Sequence, residues 1–418
     1  MKIFRSLEPQ QRKSLLALFL AGLSFWISLT SLLPTLPAYI EDVGGTKQQV
    51  GLVMGSFAIG LLLFRSVVGR LADRRSRKLV VLIGTVVVGI APLGYLFVES
   101  IPLLMVIRAF HGISIAAFTT GYSALVVDQS PPEQKGELIG YMSLVVPVGL
   151  AIGPAVGGFL QAGVGYMALF LTSASVGILG LIFATQVGKA SREEPASHQE
   201  AGSPQSSRFW QLLASPRLRV PATVLLLIGL AFGTISTFLP LFIRAAAIDL
   251  NPGLYYSTAA IASFSVRIFV GRASDRYGRG LFITASLFCY VLAMLLLATA
   301  ESPGAFLVAG LVQGAGGGTL IPIMIALISD RSAENERGKI YSLCIGGFDL
   351  GIAIAGPVIG SFANPLGYRG LFFLAMSLTS LALMVFVTLS SKDLSHSLRF
   401  ATGREKDIYA LKQPPQKS

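Results

Sequence analysis

Four ionisable residues lie inside stretches that are otherwise apolar: Arg65, Arg108, Arg267 and Asp349. A charged side chain in hydrocarbon costs roughly 2.5–3.5 kcal/mol on insertion scales, so such residues usually face protein rather than lipid. Burial alone would keep the carboxyl of Asp349 protonated at neutral pH, whereas a nearby arginine would favour its charged form. This competition predicts a proton-coupling switch at Asp349, and a fixed Arg–Asp clasp is the structural alternative.

The three arginines differ in how deep they lie. Arg65 and Arg267 are about one helical turn from a charged segment, so snorkelling to the lipid headgroups is one explanation for both, and a charge-coupling role is the other. Arg108 lies six residues after Pro102, and His111 follows on the same stretch. A lone histidine of this kind is more often a satisfied polar contact than a proton carrier.

A charged turn occurs twice in the chain, as "FRSVVGRLADRRSRK" from Phe64 and as "VRIFVGRASDRYGRG" from Val266. An offset of 202 residues, nearly half of the 418-residue chain, also relates Asp128 to Asp330. An aspartate among so many cations should be ionised and paired. The matched pairs within the turns are Gly69 with Gly271, Arg70 with Arg272, Asp73 with Asp275, and Arg74 with Arg276.

Composition explains why these charges are so sparse. Hydrophobic residues make up 53% of the chain and charged residues only 13%, against about 25% in soluble domains. Apolar runs of about 20 residues span a bilayer core, and twelve such runs are present. They are predicted near 14–37, 49–68, 79–98, 102–127, 138–161, 164–187, 220–243, 254–270, 281–299, 303–328, 340–363 and 367–390.

Basic residues concentrate in alternate loops, which places both termini in the cytoplasm by the positive-inside rule. The net charge of +12 then faces an anionic leaflet, so nucleic acid is not needed to explain it. The segment 188–207 is rich in Ser, Glu and Pro, and 208–219 resembles an interfacial helix. The predicted organisation is a six-helix bundle at 1–187, a linker at 188–218, a second bundle at 219–390 and a disordered basic tail at 391–418.

The motifs resemble those of the major facilitator superfamily, and in particular its drug:proton antiporter-like branch. "GRLADRRSRK" resembles the signature turn between the second and third helices, and "RAFHG" resembles the fourth-helix motif. "VPVGLAIGPAVGGFL" resembles the antiporter motif of the fifth helix, with Gly149, Gly153, Pro154, Gly157 and Gly158. The resemblance implies an all-α membrane protein whose 12 transmembrane helices form two pseudo-symmetric six-helix bundles.

The resemblance also suggests roles for single residues. Helices one, four, seven and ten line a central cavity in this fold, where Arg108 would attract an anionic substrate group or a proton-carrying carboxylate. Trp26, Ser28 and Gln313 are further cavity candidates. The resemblance makes Arg65 a possible partner of Asp349, and it predicts a cytoplasmic charge network of Asp73, Arg74 and Asp128.

The expected function is therefore proton-coupled efflux of a small amphipathic or weakly polar solute by alternating access in a bacterial inner membrane. An importer or facilitator of the same fold is the alternative, and a non-transporting receptor a more remote one. Cys289 and Cys344 form no metal-ligand or disulfide pattern, and the chain has no phosphate-binding loop. We expect a monomer without cofactor, metal, nucleic acid or enzymatic activity, whose partners are lipid, protons and solute.

Overall fold

A computed structural model of the chain describes residues 7–131, 134–188, 215–333 and 337–411. The regular elements within these ranges are helical. They are α1 Pro9–Ser31, α2 Leu36–Asp42, α3 Lys47–Arg74, α4 Arg77–Phe97, α5 Ile101–Asp128, α6 Lys135–Met142, α7 Val145–Val164, α8 Tyr166–Thr185, α9 Arg219–Ala245, α10 Pro252–Tyr277, α11 Arg279–Thr299, α12 Pro303–Asp330, α13 Arg337–Ile354, α14 Ala363–Leu389 and α15 Leu394–Ala401.

In the described part of the chain, 11 helical stretches are long and apolar enough to cross a membrane. The remaining predicted span, near 340–363, is α13 continued by a π-helical segment, Ala355–Ile359. Pro357 lies in this segment, and its missing backbone N–H removes one α-helical hydrogen bond. The first span is formed by α1 and α2 and the fifth by α6 and α7, and each breaks near a proline.

The turn between α3 and α4 is shorter than the charged motif that begins at Gly69. Gly69 does not bend the backbone, because α3 continues through it to Arg74, and nothing lies within 4 Å of a Cβ built on that glycine. Only Arg75 and Ser76 separate α3 from α4. In the second turn the bend comes at Gly278, whose φ of 94° favours glycine.

The chain divides into two compact units, which we describe separately. Unit 1 contains Met1–His198 and Ser236–Ser257, and unit 2 contains Gln199–Ile235 and Thr258–Ser418. In the core of unit 1 the rings of Phe25 and Phe118 stack with centroids 3.9 Å apart. The core of unit 2 is aliphatic around Leu225, Leu320 and Met324, with Phe386 and Phe400 at one end.

The prediction of a disordered tail at 391–418 is wrong for residues 391–411. They contain α15, and Phe400 is only 4% exposed because it packs into the core of unit 2. Residues 412–418 lie outside the described residues. The same holds for 189–214, which carry most of the predicted linker and interfacial helix.

Candidate functional site

Arg108 is a buried cation in unit 1. Its side chain lies on α5 and is 5% exposed, so it does not snorkel. The guanidinium carbon is 4.4 Å from the centroid of the Phe57 ring on α3, a distance suited to a cation–π contact. The Nε and Nη1 atoms of Arg108 have no hydrogen-bond partner, and no carboxylate in the described ranges forms an ion pair with it.

Glycines explain how Phe57 reaches this arginine. A Cβ on Gly112 would lie 1.8 Å from the carbonyl oxygen of Phe57, and one on Gly60 would lie 1.7 Å from that of Ala109. The backbones of α3 and α5 are therefore in direct contact, as only glycine permits. The Arg-then-Gly spacing of the fourth-helix motif thus places the cation one turn before the contact point.

Tyr95 and His111 complete the buried centre around Arg108. Both side chains are fully buried, and the Tyr95 hydroxyl lies 3.3 Å from His111 Nδ1. His111 Nε2 has no hydrogen-bond partner, and its ring meets Phe57 edge-on at 5.8 Å. Buried polar atoms without partners are costly. This centre has unused hydrogen-bonding capacity and a net positive charge, so it can attract an anionic group.

Asp349 lies in an apolar helix of unit 2. It is half-buried, twelve residues after the start of α13 and six before the π-helical segment. Irregular helical segments of this kind recur at functional sites. Arg65 is half-buried on α3 of unit 1, and its pairing with Asp349 stays a prediction.

The predicted network of Asp73, Arg74 and Asp128 does not form in this structure. Asp73 and Arg74 are exposed, and Asp128 is instead paired with Arg77. Arg70 is exposed as well, and Gly69 is half-buried. Arg77 thus joins the start of α4 to the end of α5.

Unit 2 repeats this ion pair. Arg279 at the start of α11 binds Asp330 at the end of α12, with Nε and Oδ2 3.0 Å apart. The guanidinium of Arg276 is exposed and 5.5 Å from the ring of Tyr277. The side chains of Arg272 and Asp275, and the surroundings of Gly271, are outside what the structure describes.

The glycines of the fifth-span motif form one stripe against the first span. Cβ atoms built on Gly149, Gly153 and Gly157 would lie 2.4, 2.1 and 2.0 Å from atoms of Trp26, Thr30 and Ser31, respectively. The Thr30 hydroxyl also donates a hydrogen bond to the Gly149 carbonyl at 3.0 Å. The spacing of four residues therefore lets α7 and α1 approach closely.

The other side of α7 contacts the start of the eighth span. A Cβ on Gly158 would lie 1.9 Å from Asn251 Oδ1, and one on Gly253 would lie 2.0 Å from the Pro154 carbonyl oxygen. The antiporter-like motif thus packs α7 between two neighbours within unit 1.

The remaining cavity candidates have specific contacts. Trp26 is half-buried and meets Phe25 edge-on at 5.7 Å. Ser28 is 1% exposed, and its hydroxyl donates to the Ser173 carbonyl on α8 at 2.7 Å. Gln313 is 7% exposed and lies beside Tyr290 in unit 2. In this structure Ser28 and Gln313 contribute to helix packing.

One polar cluster was not apparent from the sequence. The Asp42 carboxylate accepts a hydrogen bond from Arg244 Nη1 and one from the Tyr166 hydroxyl, each at 2.6 Å. A cavity of about 280 Å³ in unit 1 is lined by these residues together with Gln161 and Thr35. Asp42, Tyr166 and Arg244 are far apart in the chain, so only an exact register of three helices could have suggested the cluster.

Comparison with known proteins identifies the family. A model of the Major Facilitator Superfamily matches residues 15–272 and 249–414. The chain belongs to this superfamily. The predicted all-α fold with 12 transmembrane helices in two six-helix bundles is confirmed, and the protein is a membrane-spanning transporter of small molecules rather than an enzyme.

Two curated relatives carry drug resistance in their names. The chain is 29% identical over 355 residues to the multi-drug resistance efflux pump PmrA of Streptococcus pneumoniae, covering 83% of this chain and 88% of the pump. It is 24% identical over 364 residues to the quinolone resistance protein NorA of Staphylococcus aureus, covering 86% and 90% of the two chains.

Solved structures of the superfamily share the fold. The nucleoside transporter NupG gives a TM-score of 0.73 at 15% identity, covering 88% of this chain and 98% of that one. A bacterial homologue of the human lysosomal transporter Spinster gives 0.73 at 16% identity, covering 96% and 99%.

Proposed function

We propose that this transporter exports small amphipathic or weakly polar solutes in exchange for protons, by alternating access in a bacterial inner membrane. The observation that carries the proposal is the buried centre of Arg108, which has two partnerless guanidinium nitrogens in a membrane span. A cation kept in that state is available to an incoming anionic group. Similarity to a multi-drug resistance efflux pump and to a quinolone resistance protein supports the direction of transport.

Asp349 is the proposed proton carrier. It is the acid that lies deepest in a span by sequence position, and the π-helical segment after it gives α13 an irregular hydrogen-bond ladder. One charge moving down a potential of 100 mV provides about 2.3 kcal/mol. Loading and unloading one proton at Asp349 would couple that energy to solute movement.

Purified protein in liposomes, loaded with a fluorescent amphipathic solute, tests this proposal. Imposing a pH gradient should drive solute movement against the proton flux in the parent chain, and Asp349→Asn should abolish the gradient-driven part. Asp249→Asn is a matched control, because Asp249 is exposed and lies between helices. Equal transport with and without the gradient would rule out proton coupling. Solute and protons moving in the same direction would favour an importer of the same fold.

A further inference from the structure

The chain beyond the last span forms a strap, residues 391–411, on unit 2. A fully buried Arg331 side chain holds it, because Nε and Nη2 donate to the two carboxylate oxygens of Asp407 at 2.7 and 3.0 Å. The same guanidinium donates to the carbonyls of Arg217 and Ser390 at 2.9 and 3.0 Å. The backbone N–H of Leu411 donates to the Asp330 carbonyl at 2.8 Å. The strap therefore has a defined position beside the end of the last span.

One side of α15, the helix within the strap, packs against the bundle. Ser397, Phe400 and Ala401 are buried. A Cβ on Gly280 would lie 2.1 Å from the carbonyl oxygen of Phe400, so the backbones of α15 and α11 are in contact. This packing determines which residues of α15 face away from the protein.

The outward side of α15 carries an apolar stripe. Leu394 is 55% exposed and Leu398 is 43% exposed, and residues four apart lie on the same helix face. The helix begins five residues after Leu389, the last residue of α14, which is itself 48% exposed on a membrane-spanning helix. The stripe thus continues the lipid-facing surface of the last span at the edge of the bilayer.

Positive charge accompanies this stripe. The strap contains four exposed basic residues, which are Lys392, Arg399, Arg404 and Lys406. Its acids are Asp393, Glu405 and Asp407, and the buried Arg331 already neutralises the last of these. The exposed surface is therefore cationic beside an apolar stripe, as in helices that lie in a membrane interface.

We propose that the strap binds anionic phospholipid, with Leu394 and Leu398 at the acyl-chain boundary and Lys392 and Arg399 on headgroup phosphates. Zwitterionic headgroups offer the same acyl boundary without the net negative charge, so the leucines alone would not select between them. The proposal concerns lipid selectivity and does not depend on the solute or on the direction of transport.

A pair of neighbouring variants of the full chain tests the placement of the stripe. Leu394→Trp and Ser395→Trp differ by one position on α15 and point to adjacent sides. In vesicles of phosphatidylglycerol with brominated acyl chains, the Leu394→Trp signal should be quenched and blue-shifted, whereas that of Ser395→Trp should be less affected. The parent chain supplies the background of Trp26 and Trp210. If the fluorescence of the Leu394→Trp variant has the emission maximum of tryptophan in water and is not quenched by the brominated lipid, the proposal is overturned.

Removal of charge tests the selectivity. In brominated phosphatidylcholine the Leu394→Trp quenching should be weaker than in phosphatidylglycerol. The double variant Lys392→Gln and Arg399→Gln should reduce the difference in quenching between the two lipids. Each basic residue lost should weaken binding of the strap to anionic lipid about fivefold, as expected near an anionic surface. Arg369→Gln, near the opposite end of α14, is the matched control. Equal quenching in both lipids would refute the binding of anionic headgroups even if the leucines are inserted.

Discussion

Arg279 binds Asp330 across 3.0 Å in unit 2, and Arg77 binds Asp128 at the equivalent position of unit 1. Each arginine begins a helix and each aspartate ends the next one along the chain. The two pairs are separated by the same 202 residues as the two charged turns. The repeat therefore preserves a contact and not only a composition, and each unit closes one end of a helical hairpin with it.

These ion pairs should make a modest contribution to stability. The side chains of Arg279 and Asp330 are 23% and 35% exposed, so we expect a coupling of about 0.2–1 kcal/mol. A double-mutant cycle of Arg279→Gln and Asp330→Asn, measured by thermal unfolding in detergent, would determine it. The same cycle at Arg77 and Asp128 should give a similar value, and additive effects at both sites would show that the pairs are not coupled.

Replacing Gly157 with alanine should separate α7 from α1. The new Cβ would lie 2.0 Å from the Ser31 carbonyl oxygen, and backbone cannot move aside as a flexible side chain can. We expect a cost of roughly 1–3 kcal/mol, as for other overpacked sites, with a lower melting temperature and slower transport. Gly163→Ala on the same helix is the control, because nothing lies within 4 Å of its Cβ. Equal melting temperatures for the two variants would contradict the close contact.

The Arg108→Lys variant should lose most of its transport although it keeps the positive charge. Lysine lacks the planar guanidinium that lies over Phe57 at 4.4 Å, and the two residues are not interchangeable at a stacked site. We expect gradient-driven transport to fall at least tenfold, because a buried cation–π contact is worth about 2 kcal/mol. Phe57→Leu should produce part of this loss. Full transport by Arg108→Lys would show that charge alone suffices there.

Asp407→Asn should destabilise unit 2 strongly. It removes the carboxylate that faces a fully buried Arg331, and breaking a buried pair on one side costs about 3–5 kcal/mol. Glu405→Gln removes the same charge from the same strap, but its carboxylate is 29% exposed, so its effect should be much smaller. The melting temperatures of the two variants test this prediction. Similar values would mean that the buried charge of Arg331 does not need the carboxylate of Asp407.

The start of α15 should weaken in acid. The backbone N–H of His396, followed by its imidazole, holds the pKa of Asp393 below its ordinary value. Because the folded pKa is the lower one, this cap stabilises α15 above the unfolded pKa, and its effect is lost as the pH falls through the folded pKa. Asp393→Ala should therefore speed hydrogen exchange in Leu394–Ala401 at neutral pH. The difference from the parent should disappear in acid, once the pH lies below the lowered pKa of Asp393 in the folded state.

The membrane class, the twelve spans and the repeat follow from the amino-acid sequence alone. Long apolar runs have one stable solution in a bilayer, since every backbone group must be paired within a helix. Motifs with regular spacing could also be interpreted from the sequence. Gly149, Gly153 and Gly157 are four residues apart, and residues at that spacing lie on one face of a helix. The residue types alone marked Arg108 as a candidate.

The partners of these residues depend on how the helices pack in three dimensions. The sequence suggested Asp73 and Arg74 as partners of Asp128, but Arg77 takes that place. The tail was predicted to be disordered because its composition is polar and basic. The buried Arg331 that holds it in place lies 76 residues upstream of Asp407, so the local sequence does not reveal this contact. Ion pairs between distant segments depend on helix rotation and on where helices end. An error of one or two residues in either changes which side chains meet, so periodicity and composition could not determine them.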